Sequence, residues 1–504
     1  MPLAIVHTRA TIGIDAPPVS VEVHLSHGMP SFNIVGLPEA SVREAKDRVR
    51  SALVNSEFTF PAKRITVNLA PADLPKSGGR FDMAIAIGII AASLGAPDSL
   101  QNYEFVGELA LSGEIRAVKG VLPAVIAAGK NQRKLFIPVQ NIAEASLVKD
   151  TEYFPVEHIS QVYQHLFSEQ KVTHVRTEIT SALQQHNGDL ADIVGQESAK
   201  RALLIAAAGG HNILFSGPPG TGKTMLANRL CSILPPLSDQ QALEVASIRS
   251  ISNQPFDHQN FYQRPFRHPH HTSSAPALVG GGGLPKPGEV SLAHHGVLFL
   301  DELTEFPRHV LDVLREPLEA GVVCISRAAH QASFPARFQL VAALNPSPSG
   351  DVNDGRHNAD QILRYLNRIS GPLLERIDLQ VNVPKLGASE LRQIRYQGSS
   401  MSSAMAREQV QMSRELQIKR TGKLNFELSG RDLESACALN EELEMFLEQA
   451  VTTLQLSMRS LHRILRVART IADLANEDRV RRQDLSEALS YRALERTIAQ
   501  LSRH

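Results

Sequence analysis

Residues Asn212 to Leu230 read NILFSGPPGTGKTMLANRL. An apolar strand pattern runs into a glycine-rich loop and then into a helix pattern, and this order of elements predicts an α/β fold with a parallel sheet. Inside the stretch, Gly217, Pro218, Pro219, Gly220, Thr221, Gly222, Lys223 and Thr224 satisfy G-x-x-x-x-G-K-[ST]. The glycines let backbone N–H groups face phosphate oxygens, Lys223 is set to neutralise the β and γ oxygens, and Thr224 to ligate magnesium. The motif calls for ATP and Mg2+.

Two further strands lead to the same sheet edge. GVLFLDE, Gly296 to Glu302, ends an apolar run in two carboxylates. After a phosphate loop, Asp301 is expected to hold the magnesium through water and Glu302 to orient or deprotonate the attacking water; taken alone, such a pair also reads as a helix cap. FQLVAALN, Phe338 to Asn345, delivers an amide that either positions the lytic water or simply turns the chain before Pro346. Two arginines remain, Arg376 in LLERIDL and Arg459 in the helix pattern LQLSMRSLHRILRVARTIADL.

The chain has 504 residues, which predicts about three domains. Lys plus Arg and Asp plus Glu both number 52, so no global basic field draws in a polyanion and any such ligand must be held by local patches. Cys231, Cys324 and Cys437 stand far apart without metal spacing and read as buried or inert thiols of a reducing compartment. The longest apolar run, Met83 to Ala96, is too short to span a bilayer and predicts a buried core helix. With no basic region and apolar core at the N-terminus, the expectation is a cytoplasmic protein without membrane contact.

The first part mixes strand patterns at Val19–Leu25, Arg64–Ala70 and Lys134–Val139 with helix patterns at Glu39–Ser56 and Ala124–Lys130. A polar, poorly periodic stretch at 169–188 reads as a linker. Strand and helix alternate from Leu190 to about Pro384, and only helical patterns follow, at 401–419, 430–455, 459–476 and 482–501.

This ordered set resembles the AAA+ ATPases, and in FRHPHHTSSAPALVGGGGLPKPGEVSLAHHGVLFLDELTEF (266–306), RYLNRISGPLLERIDL and LRVARTIADL it is similar to the ComM/YifB family of their magnesium-chelatase-like branch. The resemblance implies Asn345 as sensor 1, Arg376 as an arginine finger on the neighbouring subunit's ATP, Arg459 as sensor 2, and a homo-hexameric ring. It implies a Lon-protease-like α+β domain at 1–168, the linker at 169–188, an AAA+ core at 189–385 with two insertions, and a helical lid at 386–504. The activity it implies is an ATP-dependent motor on single-stranded or branched DNA, of helicase or branch-migration type, acting in recombination during natural transformation. Two rivals stand beside it: the remodelling subunit of a magnesium-chelatase-like complex, disfavoured because such subunits generally start at the AAA+ module, and an ATP-switched assembly module. The insertions carry Lys286 and Arg327, which read either as DNA phosphate contacts facing a pore or as solvated loop charges. The histidines at 268, 270, 271, 294 and 295 read as hydrogen-bonded loop residues rather than metal ligands.

Two departures follow. LSGEIRAVKGVLPAVIAAGKNQRKLFIPVQN (111–141) resembles the Lon proteolytic domain, but in PKSGGRFD (75–82) Arg80 takes the place of the nucleophilic serine and the segment of the general-base lysine is shortened. No acyl-transfer dyad is left. Lys63, Arg64, Lys76 and Arg80 remain as phosphate contacts or as a solvated basic rim. After sensor 1, Ser347 and Ser349 stand where relatives carry cysteines, and serine hydroxyls are poor zinc ligands, so no zinc is expected.

Overall fold

The computed structural model describes residues 3–37, 39–174, 188–252, 254, 258–283, 285–326, 331–351, 356–387, 401–454 and 457–501. Alternating patterns such as VSVEVHLS give strands that bury every second side chain. In the first part these are β1 (Leu3–Arg9), β2 (Pro18–Ser26), β3 (Ser31–Val35), β4 (Arg64–Ala70), β5 (Tyr103–Phe105), the small hairpin β6 (Glu108–Leu109) and β7 (Ile115–Arg116), β8 (Lys134–Pro138) and β9 (Tyr153–Val156). A seven-stranded mixed sheet results, in the order β3-β4-β2-β1-β5-β8-β9. The apolar run read as a core helix is one, Asp82–Leu94, and it lies so close on β2 that a Cβ on Gly88 would meet Val23 Cγ2 at 2.5 Å. The Glu39–Ser56 pattern forms two helices, Ala40–Arg43 and Ala45–Asn55.

The second sheet contains β10 (Ile213–Ser216), β11 (Phe266–Arg267), β14 (Val297–Leu300), β17 (Gln339–Leu344) and β18 (Leu379–Asn382), after the hairpins β12 (Gly280–Gly281) with β13 (Lys286–Pro287), and β15 (Val322–Ser326) with β16 (Gln331–Pro335), are set aside. Its order is β11-β14-β17-β10-β18 and every pair is parallel. β10, β14 and β17 are buried along their whole length, which is why they read as continuous apolar runs. This is the parallel α/β core that the sequence predicts, followed by a helical C-terminal part.

Those C-terminal helices do not stand apart. Ser403–Thr421 and Met458–Leu474 pack on Glu197–Gly209, and Val410, Ile464 and Leu226 share one hydrophobic core. The 430–455 pattern breaks into Gly430–Cys437 and Glu441–Leu454 where Ala438 takes φ +44°, and 482–501 breaks at Tyr491 into Arg482–Ser490 and Ala493–Leu501. Among the described residues no helix is long and apolar enough to cross a membrane.

The first sheet's unit is fastened to the second through two helices, Val121–Lys130 and Asp239–Ile251. Leu122, Leu147, Leu237, Ala242, Val245 and Phe261 form a buried cluster there. Beside it the Gly120 N–H donates to Ser250 O at 3.0 Å, and Ser250 Oγ donates to Glu144 at 2.5 Å. Arg80 lies against this joint, 7% exposed, its guanidinium turned to the carbonyls of Lys119 and Gly120. Lys76 is fully buried and its Nζ donates to the carbonyls of Gly36, Pro71 and Leu74. Of the two readings open for them, phosphate contact or solvated basic rim, these two residues fit neither, because each is buried and turned to backbone oxygens inside the domain. Lys63 and Arg64 are exposed.

Candidate functional site

The glycine-rich loop leaves β10 at Gly217, whose N–H donates to Leu344 O; a Cβ here would sit 2.2 Å from Val383 O, so only glycine allows the approach. Gly220 and Gly222 take φ of +77° and +90°, the left-handed region that turns successive N–H groups inward ahead of the helix Lys223–Ile233. Lys223 is 8% exposed, and its Nζ donates to Gly217 O at 2.6 Å, Pro218 O at 2.9 Å and Asn345 Oδ1 at 3.1 Å. Burial lowers its pKa, and the Asp301 and Glu302 carboxylates oppose that shift. Thr221 closes the loop by donating to Pro218 O.

β14 and β17 end where the sequence predicts. Thr224 Oγ1 donates to Asp301 Oδ2 at 2.8 Å, so hydroxyl and carboxylate share one point beside the loop. Glu302 takes φ +50°, an uncommon conformation for a non-glycine residue, and its N–H donates to Asp301 Oδ1. Its carboxylate is 55% exposed and lies 3.3 Å from His271 Nδ1. Sequence reasoning missed this partner. The loop, the buried lysine, and the adjacent hydroxyl and carboxylate fit a triphosphate with magnesium held by Thr224 and Asp301.

The two arginines lie elsewhere. Arg376 is 9% exposed, donates to Pro372 O at 2.6 Å and pairs with Glu319, the penultimate residue of the helix Arg315–Ala320. Arg459 is 67% exposed one residue into its helix and lies 3.7 Å from Glu375, the neighbour of Arg376 in sequence. Among the described residues neither arginine forms a hydrogen bond or ion pair with the side chains gathered around Lys223. Lys286 is exposed on β13, whereas Arg327 lies outside the described residues, between β15 and β16. The loop after Asn345 is closed by buried Ser347, which donates to Asp351 O at 2.7 Å and meets Ser349, itself 3.2 Å from His357 Nδ1.

The histidines divide. His270 bonds to Thr272 within the loop. His294 and His295, just ahead of β14, both direct Nε2 at Glu244 Oε2, at 3.2 and 2.8 Å. Glu244, His294 and His295 have metal-like spacing. However, His294 Nδ1 accepts the Arg337 N–H, so its Nε2 carries the proton and has no lone pair for a cation. Burial lowers the His294 pKa to about 4, with His295 adding to the shift and Glu244 opposing it. The cluster ties the helix Asp239–Ile251 to the start of β14.

Comparison with known proteins follows the same layout. The family described as magnesium chelatase, subunit ChlI, matches residues 189–391; subunit ChlI of Mg-chelatase matches 21–141; and the subunit ChlI C-terminal family matches 400–492. The chain is 54% identical over 510 residues to competence protein ComM of Haemophilus influenzae, covering all of both chains. It is 49% identical over 508 residues to YifB of Escherichia coli, covering all of this chain and 99% of that one. It is 28% identical over 171 residues to the magnesium-chelatase 38 kDa subunit of Cereibacter sphaeroides, covering 31% of this chain and 51% of that one. End-to-end identity on this scale makes the chain a member of the ComM/YifB family, built on magnesium-chelatase-like AAA+ architecture.

Proposed function

We propose that this protein hydrolyses ATP and, as a homo-hexameric ring, moves along DNA in recombination during natural transformation. The observation that carries hydrolysis is the constellation of Lys223, Thr224, Asp301, Glu302 and Asn345 at one sheet edge. In this reading Lys223 and the loop N–H groups hold the phosphates, Asn345 aligns the lytic water, and Glu302 takes its proton. Magnesium held by Thr224 and Asp301 offsets phosphate charge when bound. Arg376, released from Glu319, serves the site of an adjacent copy, and Arg459 acts as sensor 2 from the helical part. The division into 1–168, 169–188, 189–385 and 386–504 belongs to the same proposal, as do the Lon-like ancestry of the first unit and a pore contact by Lys286.

DNA enters through the name of the relative, a competence protein similar from end to end. A chelatase-like remodeller is the second reading, favoured by the family descriptions, one of which reaches 21–141; the first unit is therefore no argument against it. What weighs against it is that the compared chelatase subunit matches only 31% of this chain. The test is displacement of a labelled strand from forked and three-stranded substrates, with ATP and with a non-hydrolysable analogue. Displacement with ATP alone is expected. Turnover indifferent to DNA, with nothing displaced, transfers the assignment to the remodeller.

A further inference from the structure

Between the turn that follows Glu302 and the helix Ala359–Leu366 the surface opens into two adjoining hollows, of about 390 and about 430 Å³. Arg364, Arg368 and Glu305 line both, Gln361 lines the first, and Arg308 and Asn367 the second. Three guanidinium groups thus face one carboxylate. Arg368 is the anchored one: it lies 3.5 Å from Glu305, donates to Thr304 O and sits 5.6 Å from the centre of the Tyr365 ring. Arg308 and Arg364 are exposed and have no acidic partner among the described residues. Holding such groups around one hollow costs mutual repulsion, which an anion between them removes.

We propose that this groove is a phosphate-binding site, separate from the glycine-rich loop, whose occupancy is read by Glu302. Guanidinium forks match phosphate oxygens in pairs, and the Gln361 and Asn367 amides add neutral donors for the remaining oxygens. The link to Glu302 is short. Glu302 is the residue before the 3₁₀ turn Leu303–Glu305, Thr304 in that turn donates to Tyr365 Oη at 2.5 Å, and Glu305 holds Arg368. A phosphate that draws Arg368 away from Glu305 therefore moves the turn on which the Glu302 backbone stands. The phosphate has two sources, the backbone of a DNA strand or the terminal group of a nucleotide held by an adjacent copy, and the groove's chemistry stands whether or not DNA is the track.

The experiment uses the full chain and the variant R308E/R364E, in which both changes fall on exposed side chains without an acidic partner among the described residues; its melting curve should overlay the wild type. One arm titrates fluorescein-labelled oligothymidine without nucleotide over a range of salt. The other measures ATP turnover without DNA, together with affinity for a fluorescent ATP analogue. A DNA source predicts at least a tenfold loss of oligonucleotide affinity and a log-log salt slope shallower by roughly 1.4, for two phosphates at about 0.7 each. A nucleotide source predicts unchanged oligonucleotide affinity and at least a tenfold loss of turnover at unchanged analogue affinity, partly restored by mixing with Lys223→Ala protein. A variant that matches the wild type in both arms overturns the site. Wild-type protein that binds no oligonucleotide at any salt removes DNA from the functional reading, and the turnover arm then decides the groove alone.

Discussion

Glu302 and His294 show how far single residues can be argued. Glu302→Gln keeps the size of the side chain and removes the base, so affinity for a fluorescent ATP analogue should stay within twofold while turnover falls by about 10²-fold or more. Wild-type turnover in the variant removes Glu302 from the chemistry. His294 is 2% exposed and burial lowers its pKa to about 4, against an ordinary value of 6.5. A depressed histidine means that the unfolded chain binds the extra proton between those values. Stability is therefore full above pH 6.5 and drains as the pH falls towards 4, by about 2 kcal/mol from this residue between pH 7 and pH 5. His294→Gln, compared with the wild type by thermal unfolding from pH 7 to pH 5, should show the shallower decline; parallel curves would assign the loss to other groups. The positions of Thr224, Asp301 and Asn345 were legible in the sequence because each terminates a period or motif that a strand enforces. The partnerships of Glu302 with His271 and of Glu244 with His294 were not, because they join segments 31 and 50 residues apart whose local patterns carry no trace of each other.

At the scale of elements, apolar runs announced β10, β14 and β17 because a strand buried on both faces leaves no polar positions. β1 escaped notice although Leu3–Arg9 is regular, since its partly polar half gives a weak alternation. The break at Ala438 was also hidden, as alanine is the best helix former and only the surroundings impose φ +44° on it. Two predictions concern elements. The joint made by Val121–Lys130 and Asp239–Ile251 depends on Leu122, fully buried in its cluster, so Leu122→Ala should cost about 2 to 5 kcal/mol of stability in chemical denaturation. A change below about 0.5 kcal/mol would mean that the joint closes without it. The loop after Asn345 is held by Ser347, Ser349 and His357, and elemental analysis of purified protein should find no stoichiometric zinc. About one zinc per chain would require His357 and its neighbours to act as ligands.

For the whole molecule, the proposed ring has Arg376 serve an adjacent copy, whereas within the described residues of one chain it pairs with Glu319, and Arg459 with Glu375. Arg376→Ala protein mixed with Lys223→Ala protein should regain part of the lost ATPase activity, since some interfaces then pair an intact loop with an intact arginine; absence of recovery at every ratio, with subunit exchange demonstrated, would count against action in trans. The apolar joint between the two sheets bears on how the chain could be taken apart. Leu122 and Leu147 come from one side of it and Leu237, Val245 and Phe261 from the other, so separating the units would wet both faces at once. A gene split in two, encoding 1–174 and 188–504, should therefore yield fragments that are poorly soluble when made singly and that complement each other when made together, with the covalent tether dispensable.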